Sequence, residues 1–114
     1  MTNNSNSAKK EKGMFFELDD LLSRIPEDNY WADFLKVRHL EAGVLRLHPG
    51  EEDTQTPHDE DELYFVIEGS GYVEVGGEKK QVRKGSAVFV PARVPHHFYG
   101  NKETLVVLYM FAAE

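Results

Sequence analysis

Cysteine is absent from this sequence of 114 residues, and long apolar runs are absent as well. Without cysteine the chain has neither a disulfide framework nor a thiolate metal site. A transmembrane helix needs about 20 consecutive apolar residues, and no segment approaches that length. Lysines near the N-terminus are not followed by an apolar stretch, so the sequence does not indicate a signal peptide. We therefore expect a cytoplasmic protein with no membrane partner, although the lack of disulfides fits that location without requiring it.

Positive charge is also scarce. The sequence has 13 lysine and arginine residues against 20 aspartate and glutamate residues, and its formal net charge is −7. Nucleic-acid binding draws most of its affinity from the neutralisation of phosphates, so this balance argues against a nucleic-acid partner. One dense basic cluster is interpreted as a solvated face rather than a ligand site. It consists of Lys79, Lys80, Arg83 and Lys84.

Length and composition fit one globular domain, because 40% of the residues are hydrophobic and 29% are charged. Residues 1–13 are polar and predict a disordered tail, which leaves 14–114 for the folded domain. The apolar residues of segment 16–25 recur at helical spacing and predict one short helix, which Pro26 ends. Trp31 follows in a predicted loop, packed on the domain.

From residue 34 onward the apolar residues follow the period of a β-strand, and turns rich in glycine and proline separate the segments. Many short strands after one helix indicate an all-β sandwich or barrel. The predicted strands cover residues 34–40, 43–48, 62–67, 72–75, 86–90 and 104–111. A further strand is predicted to begin at His96, after a turn fixed by proline.

His58, Glu62 and His96 stand out as a candidate metal site. Two imidazoles and one carboxylate are the ligand set of non-haem divalent centres with open positions. On a straight strand the Cα atoms of His58 and Glu62 would lie about 13 Å apart, too far for shared ligation, so the chain has to bend between them. The polar residues 59–61 suit such a turn. Glu62 then begins a strand on which it shares a face with Tyr64, which is either a pocket residue or a barrel-filling aromatic.

The spacing of these residues resembles the two motifs of the cupin superfamily across residues 34–111. The first motif has a glycine, two histidines separated by one residue, a glutamate and a closing glycine. The second has a glycine, a Pro-x-Gly turn, a histidine and an asparagine. The corresponding residues here are Gly50, Thr56, His58, Glu62 and Gly69 for the first motif, and Gly85, Pro91, Arg93, His96 and Gly100–Asn101 for the second.

Three positions depart from that pattern. Thr56 replaces the first histidine, Arg93 replaces the turn glycine, and asparagine comes one residue late at position 101. The first departure leaves three ligands, His58, Glu62 and His96, unless Gln55 or Thr56 completes the site. On an extended segment Thr56 would point the same way as His58 and Gln55 would point away.

The resemblance implies a jelly-roll β-barrel that binds one divalent metal ion (Fe, Mn, Ni or Zn) and a small-molecule ligand. Two classes of function fit such a protein. One is a metal-dependent enzyme, either a dioxygenase or a redox-neutral isomerase or lyase. The other is a non-catalytic protein that binds a sugar or an organic acid, and loss of the metal is a further alternative. Because both faces of predicted strand 62–67 are apolar, the resemblance also implies a homodimer.

Overall fold

The structure, a computed structural model, describes residues 12–113. Most of the predicted disordered tail therefore lies outside the described residues. Within them the chain forms one helix and eight strands. These are α1 (Leu18–Leu22), β1 (Trp31–Val37), β2 (Leu40–Leu47), β3 (Glu62–Glu68), β4 (Ser70–Val75), β5 (Glu78–Arg83), β6 (Ala87–Val90), β7 (His96–Tyr99) and β8 (Leu105–Ala112).

Two antiparallel sheets face each other across the core. The larger sheet has the order β1-β2-β8-β3-β6, and the smaller has the order β5-β4-β7. Both sheets supply fully buried side chains, for example Val66 from the larger sheet and Phe98 from the smaller. Burying such a side chain stabilises the fold by roughly 1.5–3 kcal/mol, so this two-sheet core is the main source of stability.

The predicted alternation along β3 is confirmed. Glu62 and Tyr64 are buried between the sheets, whereas Leu63 and Phe65 are exposed on the outer face. Because side chains alternate across a strand, this register fixes Glu62 toward the interior at the beginning of β3.

Two expectations for the elements need correction. Trp31 begins β1 rather than lying in a loop, and it is 41% exposed rather than packed away. Strand β5, in which Val82 is the single buried residue, was not predicted from the sequence. A strand at the edge of a sheet buries few side chains, so hydrophobic periodicity carries almost no signal for it. The basic cluster is exposed on and beside this strand, as predicted.

No helix within residues 12–113 has the length and hydropathy needed to cross a membrane. The cytoplasmic location stays a prediction.

The contacts of Asn101 explain why an asparagine stands one residue later than the motif places it. Its buried amide donates hydrogen bonds to the carbonyl oxygens of Leu47, at 3.0 Å, and Glu103, at 2.9 Å. The side chain thus ties the end of β2 to the connection between β7 and β8. Asn101 has a structural role at this position.

Arg93 occupies the left-handed region, with a φ of 66°, which is the conformation that the glycine of a Pro-x-Gly turn adopts easily. Its backbone N–H donates a hydrogen bond of 2.6 Å to the carbonyl oxygen of His58. The strained turn before β7 therefore holds the loop that carries His58.

We expect Arg93→Gly to raise the free energy of unfolding by about 0.5–1 kcal/mol. The substitution removes the cost of holding a non-glycine residue in the left-handed region, which is about 1–2 kcal/mol. The greater conformational freedom of glycine in the unfolded chain offsets part of this gain. Urea denaturation measures the change. Ala92→Gly is the control, because Ala92 has no positive φ and should only lose stability. A loss of stability in Arg93→Gly as large as in the control would show that residue 93 is not strained.

Candidate metal centre

The loop before β3 and the first residues of β3 and β7 bring His58, Glu62 and His96 together. One possible ligand atom from each residue lies within 4.8 Å of the other two. Glu62 Oε1 is 3.2 Å from His96 Nε2 and 3.8 Å from His58 Nε2. Two ligand atoms bound to one ion at about 2.1 Å, at right or tetrahedral angles, lie about 3.0–3.4 Å apart. The spacing therefore fits one shared ion after a small movement of His58.

His96 is oriented by its backbone surroundings. Its Nδ1 lies 2.8 Å from the carbonyl oxygen of Val94, which can only accept a hydrogen bond. Nδ1 must therefore carry the hydrogen, and in the neutral imidazole the lone pair is on Nε2, which faces Glu62. A carbonyl on the far nitrogen is the usual arrangement behind a metal-binding histidine.

Glu62 places a buried negative charge at the site. The residue is 3% exposed, and its Oε1 has no hydrogen-bond partner among the described residues. A buried carboxylate oxygen without a donor is costly, so this position attracts a positive charge. The pKa of His96 responds accordingly. Burial, the largest single influence, lowers it, but contact with Glu62, the Val94 carbonyl and the nearby negative charges together raise it.

Gln55 reaches the same point from the loop. Its Oε1 accepts a hydrogen bond of 2.6 Å from the Tyr64 hydroxyl and lies 3.1 Å from His96 Nε2. Its amide nitrogen donates to both carboxylate oxygens of Asp53, at 2.9 and 2.7 Å. Because the amide donates on one side, its oxygen is turned toward the centre.

Thr56, by contrast, is exposed and lines the cavity in front of the centre. The expectation that Gln55 would point away from the site is wrong. It assumed an extended strand, but residues 51–61 form no strand, so alternation of side chains does not hold there.

Asp53 is a residue of the candidate site that could not be predicted from the sequence. Besides Gln55, its buried carboxylate accepts hydrogen bonds from the Tyr30 hydroxyl, at 3.0 Å, and the Phe98 backbone N–H, at 2.8 Å. Two of its three donors, Tyr30 and Phe98, come from distant parts of the chain. Neither spacing nor composition distinguishes it from the solvated acids around it, so no sequence signal was available.

Tyr64 lies beneath the centre rather than on a cavity wall. Its ring packs edge-on against Phe98 with the centroids 4.9 Å apart, which favours the barrel-filling alternative. Burial, followed by the charge of Glu62, raises its pKa far above the usual value. Tyr64 therefore stays protonated and acts as a permanent donor that positions Gln55.

A cavity of about 310 Å³ opens onto the centre. This volume is at the lower end of the range of about 300–1,000 Å³ for small-molecule sites. One wall is a row of nearly parallel rings. His58 stacks on Phe111 at 5.2 Å and 12°, and Phe111 stacks on Tyr109 at 6.3 Å and 13°. The cavity thus offers an aromatic surface beside the candidate metal ligands.

Comparison with known proteins gives a family match, relatives by sequence and similar solved structures. The family model described as a cupin domain, Cupin_2, matches residues 43–111. A Streptomyces coelicolor protein described as uncharacterised is 42% identical over 98 residues, which are 85% of this chain and 93% of that protein. Among solved structures, a Bacillus halodurans protein superposes with a TM-score of 0.75 at 19% identity, over 90% of this chain and 83% of that chain. This last likeness concerns the fold alone.

Two enzymes match over shorter stretches. A 5-nitrosalicylic acid 1,2-dioxygenase of a Bradyrhizobium species is 38% identical over 69 residues, 59% of this chain and 33% of the enzyme. The dimethylsulfoniopropionate lyase DddW of Ruegeria pomeroyi is 30% identical over 76 residues, 67% of this chain and 50% of the enzyme. This chain therefore corresponds to no more than half the length of either enzyme.

Proposed function

The chain belongs to the cupin domain family and has its jelly-roll fold, and we propose that it is a metalloprotein that holds one divalent ion on His58, Glu62 and His96. The observation that carries the proposal is the buried Oε1 of Glu62, which has no hydrogen-bond donor among the described residues and faces Nε2 of His96. A cation between these two atoms removes the cost of an unpaired buried carboxylate. Gln55 is the candidate for a further ligand through its amide oxygen.

We further propose that this centre serves a metal-dependent enzyme acting on a small organic molecule. The cavity supports the proposal, because it gives a small molecule access to an ion that three or four protein ligands leave partly open. Such an ion supplies Lewis-acid or dioxygen chemistry, and Fe, Mn, Ni and Zn all suit the ligand set. His58, Glu62 and His96 would bind the ion. Tyr64 donates a hydrogen bond to Gln55, which keeps the Gln55 amide oxygen turned toward the ion. The dioxygenase and the lyase among the relatives support an enzymatic role.

Metal content tests the first proposal. We expect reconstituted wild-type protein to carry close to one divalent ion per chain in elemental analysis, and His96→Ala to lose most of it. His97→Ala is the matched control, because His97 lies on the opposite face of β7 and is absent from the ligand cluster. Equal metal in wild type and His96→Ala, or none in either, would overturn the metal centre.

Titration of the metal-free protein with metal, which measures affinity, separates Gln55 from Thr56. Gln55→Ala should weaken metal binding by about 10-fold or more, the scale of changes next to a metal. Thr56→Ala should leave the affinity within about 3-fold of wild type. The reverse order would make Thr56 the residue that completes the site.

Turnover tests the second proposal. Protein loaded separately with Fe(II), Mn, Ni or Zn is incubated with hydroxybenzoic acids and with dimethylsulfoniopropionate. Oxygen consumption and products are followed by electrode and mass spectrometry. We expect one metal form to give turnover that falls at least 100-fold in Glu62→Gln. Saturable binding without turnover in every metal form would favour the non-catalytic alternative, a sugar- or acid-binding protein.

We also propose a homodimer formed through the outer face of the larger sheet. Leu63, Phe65 and Phe89 are exposed there, Phe89 by 58%, and Leu63 pairs directly with Phe89 across β3 and β6. Apolar side chains grouped in this way are characteristic of an interface.

Light scattering at micromolar concentration should give twice the chain mass for wild type and a shift to monomer for Phe89→Lys. Lys79→Ala, on the other sheet, is the control. A monomeric wild type would refute the proposal.

A further inference from the structure

The cavity in front of the candidate metal centre has a second carboxylate, which the proposed centre does not use. The carboxylate of Asp33, on β1, lines this cavity together with Tyr109 and Trp31. Its Oδ1 accepts a hydrogen bond of 2.5 Å from the Tyr109 hydroxyl. Asp33 is thus connected to the centre through the row of rings that runs from Tyr109 by way of Phe111 to His58.

The packing around Tyr109 fixes this arrangement. Gly43, the β2 residue paired with both Asp33 and Tyr109, leaves the space that the ring occupies. A Cβ atom at position 43 would collide with the ring and the hydroxyl of Tyr109. Burial, followed by the hydrogen bond to Asp33, raises the pKa of Tyr109 far above its usual value, so the hydroxyl remains a donor. The carboxylate is therefore held in place at the cavity wall.

The charge of Asp33 has no counterpart on the protein within the described residues. No lysine, arginine or histidine of residues 12–113 forms an ion pair with it. No lysine or arginine of that range lines the cavity either. In the proposed centre the charge of Glu62 is balanced by the metal ion. Asp33 is exposed, so solvent screens its charge in part, but no protein cation balances it. An anionic group would be repelled at this position, and a cationic group would be attracted.

The rings next to Asp33 suit a cation as well. Trp31 and Tyr109 both line the cavity beside the carboxylate, with Tyr30 nearby. The face of an aromatic ring attracts a cation, and tryptophan does so most strongly. Trp31 is 41% exposed and offers ring surface to the cavity, whereas Tyr109 is buried and contributes by holding Asp33. A carboxylate beside an accessible tryptophan suits an alkylated ammonium group.

We propose that Asp33, Trp31 and Tyr109 form a subsite for a positively charged group, so that the small molecule bound in this cavity is an organic cation or zwitterion with an amine or quaternary ammonium group. The link between this subsite and a reaction rests on the proposed function. The subsite itself requires only the cavity. In a zwitterion, the oxygen-bearing end would lie toward the metal and the cationic end toward Asp33.

Trp31 provides a direct readout, because it is the single tryptophan of the chain and lines the cavity. Choline and 3,3-dimethylbutan-1-ol, which has the same shape without the charge, are titrated into the full-length protein while tryptophan fluorescence is recorded. We expect choline to bind at least 10-fold more tightly than the neutral alcohol. Asp33→Asn should remove most of that preference, the remainder coming from Trp31. Asp28→Asn, which alters an exposed acid outside the cavity, should keep it. Equal affinity for the two probes, an unaltered preference in Asp33→Asn, or no saturable choline binding would each overturn the subsite.

Metal content separates this proposal from the proposed function. Asp33→Asn should keep the metal content of wild type, and His96→Ala should lose metal while still preferring choline. If no variant holds metal but choline is preferred, the metal centre fails and the subsite stands. If metal is bound but charge is not recognised, the subsite fails and the metal centre stands.

Discussion

The carboxylate of Glu62 is buried at the beginning of β3, and its Oε1 has no hydrogen-bond donor within the described part of the chain. It faces the Nε2 atom of His96, whose other ring nitrogen is engaged by the Val94 carbonyl. In the neutral imidazole two lone pairs point at each other, which a folded protein tolerates when a positive charge lies between them. Glu62 is only 3% exposed at this position, and the cavity opens onto it.

Asp53 and Gln55 stabilise that arrangement from the loop between β2 and β3. Asp53 connects the loop to the smaller sheet through the backbone of Phe98, and it turns the amide of Gln55 toward His96. Tyr64 from the larger sheet donates to the same amide oxygen. One side-chain amide thus joins both sheets and the loop. Thr56 replaces a motif histidine, but this part of the site is not empty, because the amide oxygen of the neighbouring Gln55 lies there.

Much of this could be predicted from the sequence. The strands that bury every second side chain were recognisable by their period, and the spacing of His58, Glu62 and His96 was recognisable from the motifs. What failed were the parts in which tertiary contacts decide the conformation. The edge strand β5 buries almost nothing, and Gln55 lies in a segment without a strand, where alternation has no meaning. Asp53 gains its role only when donors from residues 30 and 98 come together in the fold.

A crystal structure of metal-reconstituted protein, with diffraction recorded above and below the absorption edge of the metal, would locate the ion. We expect one anomalous peak per chain, about 2.0–2.2 Å from Nε2 of His58, Nε2 of His96 and a carboxylate oxygen of Glu62. A peak at any other place would contradict this expectation. So would a fully reconstituted sample with no peak and with His96 donating a hydrogen bond directly to Glu62, because a proton would then supply the charge that we assign to the metal.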